Sequence, residues 1–268
     1  QEIHINLAVS GSTKGEQDVG ALAAKHPYVK RFGASRDDIL AAIKDIIAQR
    51  HLSSDGDDLG DDLFVFYFSG HGIISPTEKD QGRTLFATSQ SRSEDGLAEN
   101  DPSTLDSLEL LDLFEAMPGD KLIIFDACRS LSDAPEASAF DPNLLLNDLR
   151  SRALSADVFF SSDARQPSRE VAGLAYDKSR PKNRQGNSLF TYALLKALTT
   201  DKAILGGDRN PLVQVRVLGL ADYFESVFFN ASIKNGDATR LMKRYNWPNI
   251  QTPRFYLARN GRCSRVVR

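Results

Sequence analysis

The stretch Leu63-Phe64-Val65-Phe66-Tyr67-Phe68-Ser69-Gly70-His71-Gly72 decides how this chain folds. Its first six residues are hydrophobic without alternation. A strand of that composition has to be covered on both faces, as an interior strand of a parallel sheet flanked by helices is. The run is also the longest of its kind in the chain, far short of the ~20 residues that a membrane helix needs. It ends where two glycines bracket His71, which lets the backbone turn sharply and leaves the imidazole exposed beyond the strand. In open α/β sheets that crevice, past the carboxyl ends of the strands, is where ligands bind.

Working outward, the next comparable run is Lys121–Ala127, followed at once by Cys128-Arg129-Ser130. Further strands are expected at Ile3–Val9, Asp157–Ser161 and Arg254–Ala258. Helices are expected at Asp38–Gln49, with Ile39, Ile43, Ile46 and Ile47 on one face, and at Ser107–Met117, stopped by Pro118-Gly119. Two more are expected at Asn187–Leu198 and Val213–Phe229. Strands alternating with helices predict a mostly parallel sheet covered on both faces, in one α/β domain over residues 1–268.

Composition narrows the function. With 33 basic against 36 acidic residues the net charge is −3, which offers no electrostatic footprint for nucleic acid. Two cysteines make no disulfide framework, and no Cys/His cluster has zinc spacing. The acidic loop Ser53–Asp62 fails the calcium-loop pattern, because Phe66 stands at the twelfth position from Asp55. No basic-then-apolar leader opens the sequence, so a cytoplasmic, reducing setting is expected, with no membrane partner. Cys263, in an Arg-rich tail, reads as a bystander.

Alone, a cysteine after an apolar strand is an ordinary buried hydrophobe, and a histidine among glycines is an ordinary turn residue. Together, at the ends of two strands that can be neighbours, His71 and Cys128 make a candidate nucleophile and base.

The Ser69-Gly70-His71-Gly72 and Asp126-Ala127-Cys128 pair resembles the caspase/metacaspase superfamily of cysteine peptidases, and within it the prokaryotic orthocaspase type. Supporting matches are Gly33–Ile43, Gly186–Leu198 and Gln251-Thr252-Pro253. The stretch from Val9 to Val29 is short for the family's first loop and helix. The resemblance implies a caspase-like three-layer sandwich with about six strands in the sheet. Its large-subunit-like part spans about residues 1–150 and its small-subunit-like part about 155–260. It also implies a thiol peptidase with His71 and Cys128 as catalytic residues and the N–H groups of Gly72 and Cys128 as the oxyanion hole. No cofactor is expected, and calcium activation is left open.

Specificity follows from Asp126. Strand residues two apart share a face, so Asp126 is expected beside Cys128, at the floor of the pocket for the residue before the scissile bond. A carboxylate there favours Arg, then Lys, and rejects Asp. By resemblance Ser69 is a further pocket residue and Asp18 a second acid. The partner expected is thus a protein or peptide with Arg or Lys before the cut, and a regulatory protein or flanking domain. Self-processing is expected after Arg150, Arg152 or Arg184. The competing reading is a catalytically silent caspase-like interaction module.

Overall fold

The computed structural model describes residues 5–8, 20–26, 28–53, 63–74, 83–91, 102–128, 130–131, 156–163, 166–172, 174, 186–199, 214–230, 237–247, 251–256 and 265–267. In chain order the strands are β1 (Ile5–Ala8), β2 (Val29–Phe32), β3 (Leu63–Gly70), β4 (Gly72–Ile74), β5 (Thr84–Phe86), β6 (Leu105–Asp106) and β7 (Asp120–Ala127). They continue as β8 (Ser130–Leu131), β9 (Ala156–Phe160), β10 (Glu170–Ala172), β11 (Gly186–Ser188), β12 (Gln214–Arg216), β13 (Arg254–Tyr256) and β14 (Arg265–Val267). The helices that flank them are α1 (Arg36–Ser53), α2 (Ser107–Glu115), α3 (Leu189–Thr199), α4 (Val217–Asp222) and α5 (Asp237–Tyr245).

The main sheet has the order β13-β9-β7-β3. Within it β3, β7 and β9 run parallel and β13 is antiparallel. Alternation along β7 sorts the core into two layers. Ile123, Phe125 and Ala127 face α1 and α2, packing with Ile39, Ile43, Leu110 and Phe114. Leu122 and Ile124 face the other way, onto Phe190, Leu194, Leu220 and Phe224. Helices on both faces of a mostly parallel sheet make the three-layer sandwich that the apolar runs predicted.

Four expectations need correction. β3 is not covered on both faces: it ends the described sheet, and Val65 and Tyr67 are exposed. The sheet is smaller than six strands: β1 and β2 pair with each other in a separate parallel ribbon. β2 reads Val-Lys-Arg-Phe, with Lys30 and Arg31 exposed, so it cannot occupy a place buried on both faces. The segment expected as one helix over Val213–Phe229 instead begins with β12, paired to β14. The Gln-Val-Arg alternation and its β-branched residue suit a strand. Its far end is a π-helical turn, Tyr223–Phe228, closed by the Phe229 N–H donating to the Phe224 carbonyl at 2.8 Å. The wider turn buries Tyr223, Phe224 and Phe228 together. α3 also starts two residues later than expected, because Asn187 and Ser188 belong to β11, which pairs with β10.

Local chemistry sets the other helix starts. Ser35 and Asp38 cap α1 reciprocally: the Asp38 N–H donates to Ser35 Oγ at 3.1 Å, and the Ser35 hydroxyl donates to the Asp38 carboxylate at 2.5 Å. Asp106 caps α2, accepting the Leu108 N–H at 2.8 Å. Arg36 then ties the two helices, donating to Glu109 at 2.6 and 2.8 Å.

A second, small sheet has the order β6-β5-β4-β8. It is fastened to the main sheet by aromatic contacts, one stacked and one tilted. Phe86 of β5 lies 4.7 Å from Phe125 of β7 and 4.8 Å from Phe68 of β3, contacts worth roughly 1 kcal/mol each beyond their buried area. Among the described residues no helix is long and apolar enough to cross a membrane.

Candidate active site

His71 and Cys128 occupy equivalent joints. Each is the residue at which a strand leaves the main sheet and its continuation enters the small one: β3 to β4 through His71, β7 to β8 across Cys128. Before the joint, β3 and β7 are parallel neighbours with Gly70 opposite Ala127. After it, β4 and β8 are parallel neighbours with Ile73 opposite Ser130. The register offset of 57 residues is the same on both sides, so His71 stands opposite Cys128 on the neighbouring strand path. Neighbouring strands lie about 4.8 Å apart, within reach for an imidazole and a thiol. His71 is exposed and Cys128 half-buried.

Gly72 is the residue that this approach requires. A β-carbon placed on it would stand 2.7 Å from the Cys128 carbonyl oxygen, 3.2 Å from Ala127 Cβ and 3.3 Å from Phe86 Cδ1. Its N–H is oriented by the ladder. The Ala87 N–H donates to the His71 carbonyl at 3.0 Å, and Gly72 is the next residue, paired with Phe86. By the alternation of antiparallel bonding its N–H points away from β5, toward the Cys128 side. Gly72→Ala is therefore expected to push the backbone at the thiol: turnover falls at least about tenfold and Tm by several degrees, read by kinetics and thermal melts of the same preparation.

Asp126 lies two residues before Cys128 and is 2% exposed. A buried carboxylate has to be satisfied, and here hydroxyls do it. Oδ1 accepts the Ser168 hydroxyl at 2.9 Å. Oδ2 accepts hydroxyls from Ser188 and Thr191, and that of Tyr67 at 3.3 Å. No lysine or arginine among the described residues bonds it. The donors converge from four elements. Tyr67 is on β3, Ser168 is on the segment after β9, Ser188 ends β11, and Thr191 is in the first turn of α3, where its N–H donates to Ser188 Oγ at 2.9 Å. Burial pushes the Tyr67 hydroxyl up to about 12, the Asp126 charge adding to it, so it stays a donor through the neutral range. The residue as a whole is two-fifths exposed, while its hydroxyl meets Asp126 and Thr191.

Ser168 touches both the acid and the thiol. Its N–H donates to Cys128 Sγ at 3.3 Å, and its carbonyl lies 3.8 Å from the same sulfur. Its hydroxyl is 3.1 Å from that of Ser161, and Ser161 and Ser162 both donate to the Ala127 carbonyl, at 3.2 and 3.3 Å.

The family described as the caspase domain matches residues 28–213. The chain belongs to the caspase-domain family. That span, well over half of the chain, contains His71, Cys128, Ser168, Ser188 and Thr191. No curated protein matches the chain. A solved structure of a protein from Geobacter sulfurreducens is similar over 94% of this chain and 92% of its own, at 14% identity and a TM-score of 0.37; likeness at that level bears no weight here.

In this caspase domain the structure brings together His71, Gly72, Cys128, Asp126 and Ser69, the last exposed on β3 directly opposite Asp126. Asp18, Cys263, the acidic loop from residue 54 on and the arginines at 150, 152 and 184 lie outside the described residues. Sequence reasoning missed Tyr67, Ser168, Ser188 and Thr191. Only Ser188 carried a signal, a helix-capping serine three residues before a threonine. In the sequence Tyr67 is one more hydrophobic residue of the run Leu63–Phe68.

Proposed function

We propose that this caspase domain is a cysteine endopeptidase that cuts after basic residues. One observation carries the reading: the unbroken register across the two joints, which sets His71 against Cys128. In the proposed cycle the Cys128 thiolate attacks the peptide carbonyl carbon. The tetrahedral oxyanion is met by the N–H groups of Gly72 and Cys128, donors worth on the order of 3 kcal/mol each in such sites. His71 gives its proton to the leaving amine as the C–N bond breaks, leaving a thioester on Cys128. It then takes a proton from the water that hydrolyses that ester. No cofactor enters these steps.

Asp126 is the proposed floor of the specificity pocket. Its negative charge is balanced by neutral hydroxyls alone among the described residues, so it remains available to a cation. Oδ2 already accepts three donors and Oδ1 only one, so a cationic side chain is received first at Oδ1, the oxygen that Ser168 holds. Ser69, with Tyr67, forms the β3 wall.

Incubating the purified protein with a peptide library, and mapping new termini by mass spectrometry, tests this. Arg, then Lys, is expected before each new amino terminus. A predominance of acidic residues there overturns the pocket. An absence of new termini over a Cys128→Ala control replaces the peptidase with a silent interaction module. Self-processing is a separate expectation: intact mass of the active chain beside Cys128→Ala shows fragments ending at Arg150, Arg152 or Arg184. An unprocessed but fully active chain refutes it.

A further inference from the structure

We infer that Gln251 is a positioning residue that holds the Ser168 N–H against the Cys128 sulfur. Gln251 is 2% exposed, comes from the far end of the chain and falls outside the span matched by the family. Both ends of its side-chain amide are used. Nε2 donates to the Ser161 carbonyl at 2.6 Å, and Oε1 accepts the Arg169 N–H at 2.8 Å. The next residue repeats the clasp, the Thr252 N–H donating to Gln166 Oε1 at 2.9 Å. Residues 166 and 169 are thereby pinned to the strand entering β13. Between them lies Ser168, with its N–H 3.3 Å from Cys128 Sγ.

A fixed N–H favours thiolate over thiol, because a charged sulfur is the better acceptor; the Ser168 carbonyl, which the thiol's S–H can meet, works the other way but lies farther off, at 3.8 Å against 3.3 Å. The Ser168 hydroxyl does not compete for this place, being engaged by Asp126 and Ser161. The charged and titratable groups around the thiol come from each element packed there. Among the described residues they include His71, which follows β3, Asp126 near the end of β7 with Tyr67 of β3 against it, and Arg169 beside Ser168, whose guanidinium lies 5.5 Å from the Trp247 ring. Gln251 adds no charge to this set, so its effect runs through the backbone donor.

The inference deepens the peptidase reading and rests on it for its catalytic meaning, but its test needs no substrate. In a Cys263→Ser background, the rate of Cys128 alkylation by iodoacetamide is measured against pH. Gln251→Met, close in volume and unable to make either bond, is expected to raise the midpoint by about one unit, the worth of one hydrogen bond to a charged group. Ile43→Ala, a cavity on the opposite face of the sheet, is expected to lower Tm without moving the midpoint. In the unsubstituted chain the Ser168 amide proton is expected to titrate with the same midpoint as alkylation. A folded Gln251→Met protein with an unchanged midpoint overturns the inference, as does an equal shift in Ile43→Ala. If Gln251→Met does not fold, the amide titration decides: a resonance that ignores thiol ionisation overturns it. A thiol that behaves as expected in a protein without peptide turnover refutes the peptidase reading and leaves this one standing.

Discussion

Cys128→Ala lowers peptide turnover to the uncatalysed background, a fall of about 10³-fold or more, and His71→Ala costs about 10² to 10⁴. Both variants keep the fold. Cys128 is half-buried and His71 exposed, so neither substitution opens a large cavity, and Tm is expected to stay within a few degrees of the parent. The two losses are not additive, since thiol and imidazole act as one unit. The double variant is expected to be no slower than Cys128→Ala alone. The check is steady-state kinetics on an Arg-containing fluorogenic peptide, with circular dichroism and a thermal melt of each protein. Substantial turnover in either folded single variant removes the dyad.

Asp126→Asn is expected to lower kcat/KM for substrates with Arg before the scissile bond by about 10² to 10³. A charge pair at ~4 Å in surroundings of effective dielectric ~20 is worth about 4 kcal/mol before desolvation, which sets the upper end. Asparagine is close in shape, and the hydroxyls of Tyr67, Ser168, Ser188 and Thr191 can rotate to meet an amide. The fold is therefore retained and the change read is electrostatic. Substrates with a neutral residue at that position keep their rates, so the selectivity ratio collapses. Asp126→Ala does more harm, because it strands those hydroxyls around a cavity. A ratio of Arg to neutral substrate that survives Asp126→Asn refutes the pocket.

The parts legible in the sequence are those written into contiguous residues. The run Lys121–Ala127 announces an interior strand and is one; the run Leu63–Phe68 announces the strand but not its place, because β3 ends the described sheet with Val65 and Tyr67 exposed on one face. The residues that follow each announce the chemistry. Whether the two strands are neighbours is not written locally, and only the pairing of Gly70 with Ala127 and of Ile73 with Ser130 supplies it. The hydroxyl ring around Asp126 was illegible for a related reason. Its members come from β3, the segment after β9, β11 and α3, spread over more than 120 residues from Tyr67 to Thr191, and serine or threonine at any one of them is unremarkable by itself. Gln251 stood in a recognised tripeptide, yet its use, clasping two backbone groups of another segment, appears only in three dimensions. The segment 213–229 misleads because the apolar content of its larger part suits a helix, whereas its Gln-Val-Arg start pairs with β14 as a strand and aromatic burial widens its end.

The most direct test of the central claim is covalent capture by a peptidyl chloromethyl ketone with arginine at its reactive end. The account predicts a single adduct, one inhibitor per chain by intact mass, mapped by peptide analysis to Cys128. The adduct is abolished in Cys128→Ala, and the matching aspartyl reagent forms it far more slowly. Equal labelling of Cys128→Ala, or faster capture of Cys128 by the aspartyl reagent, would contradict it.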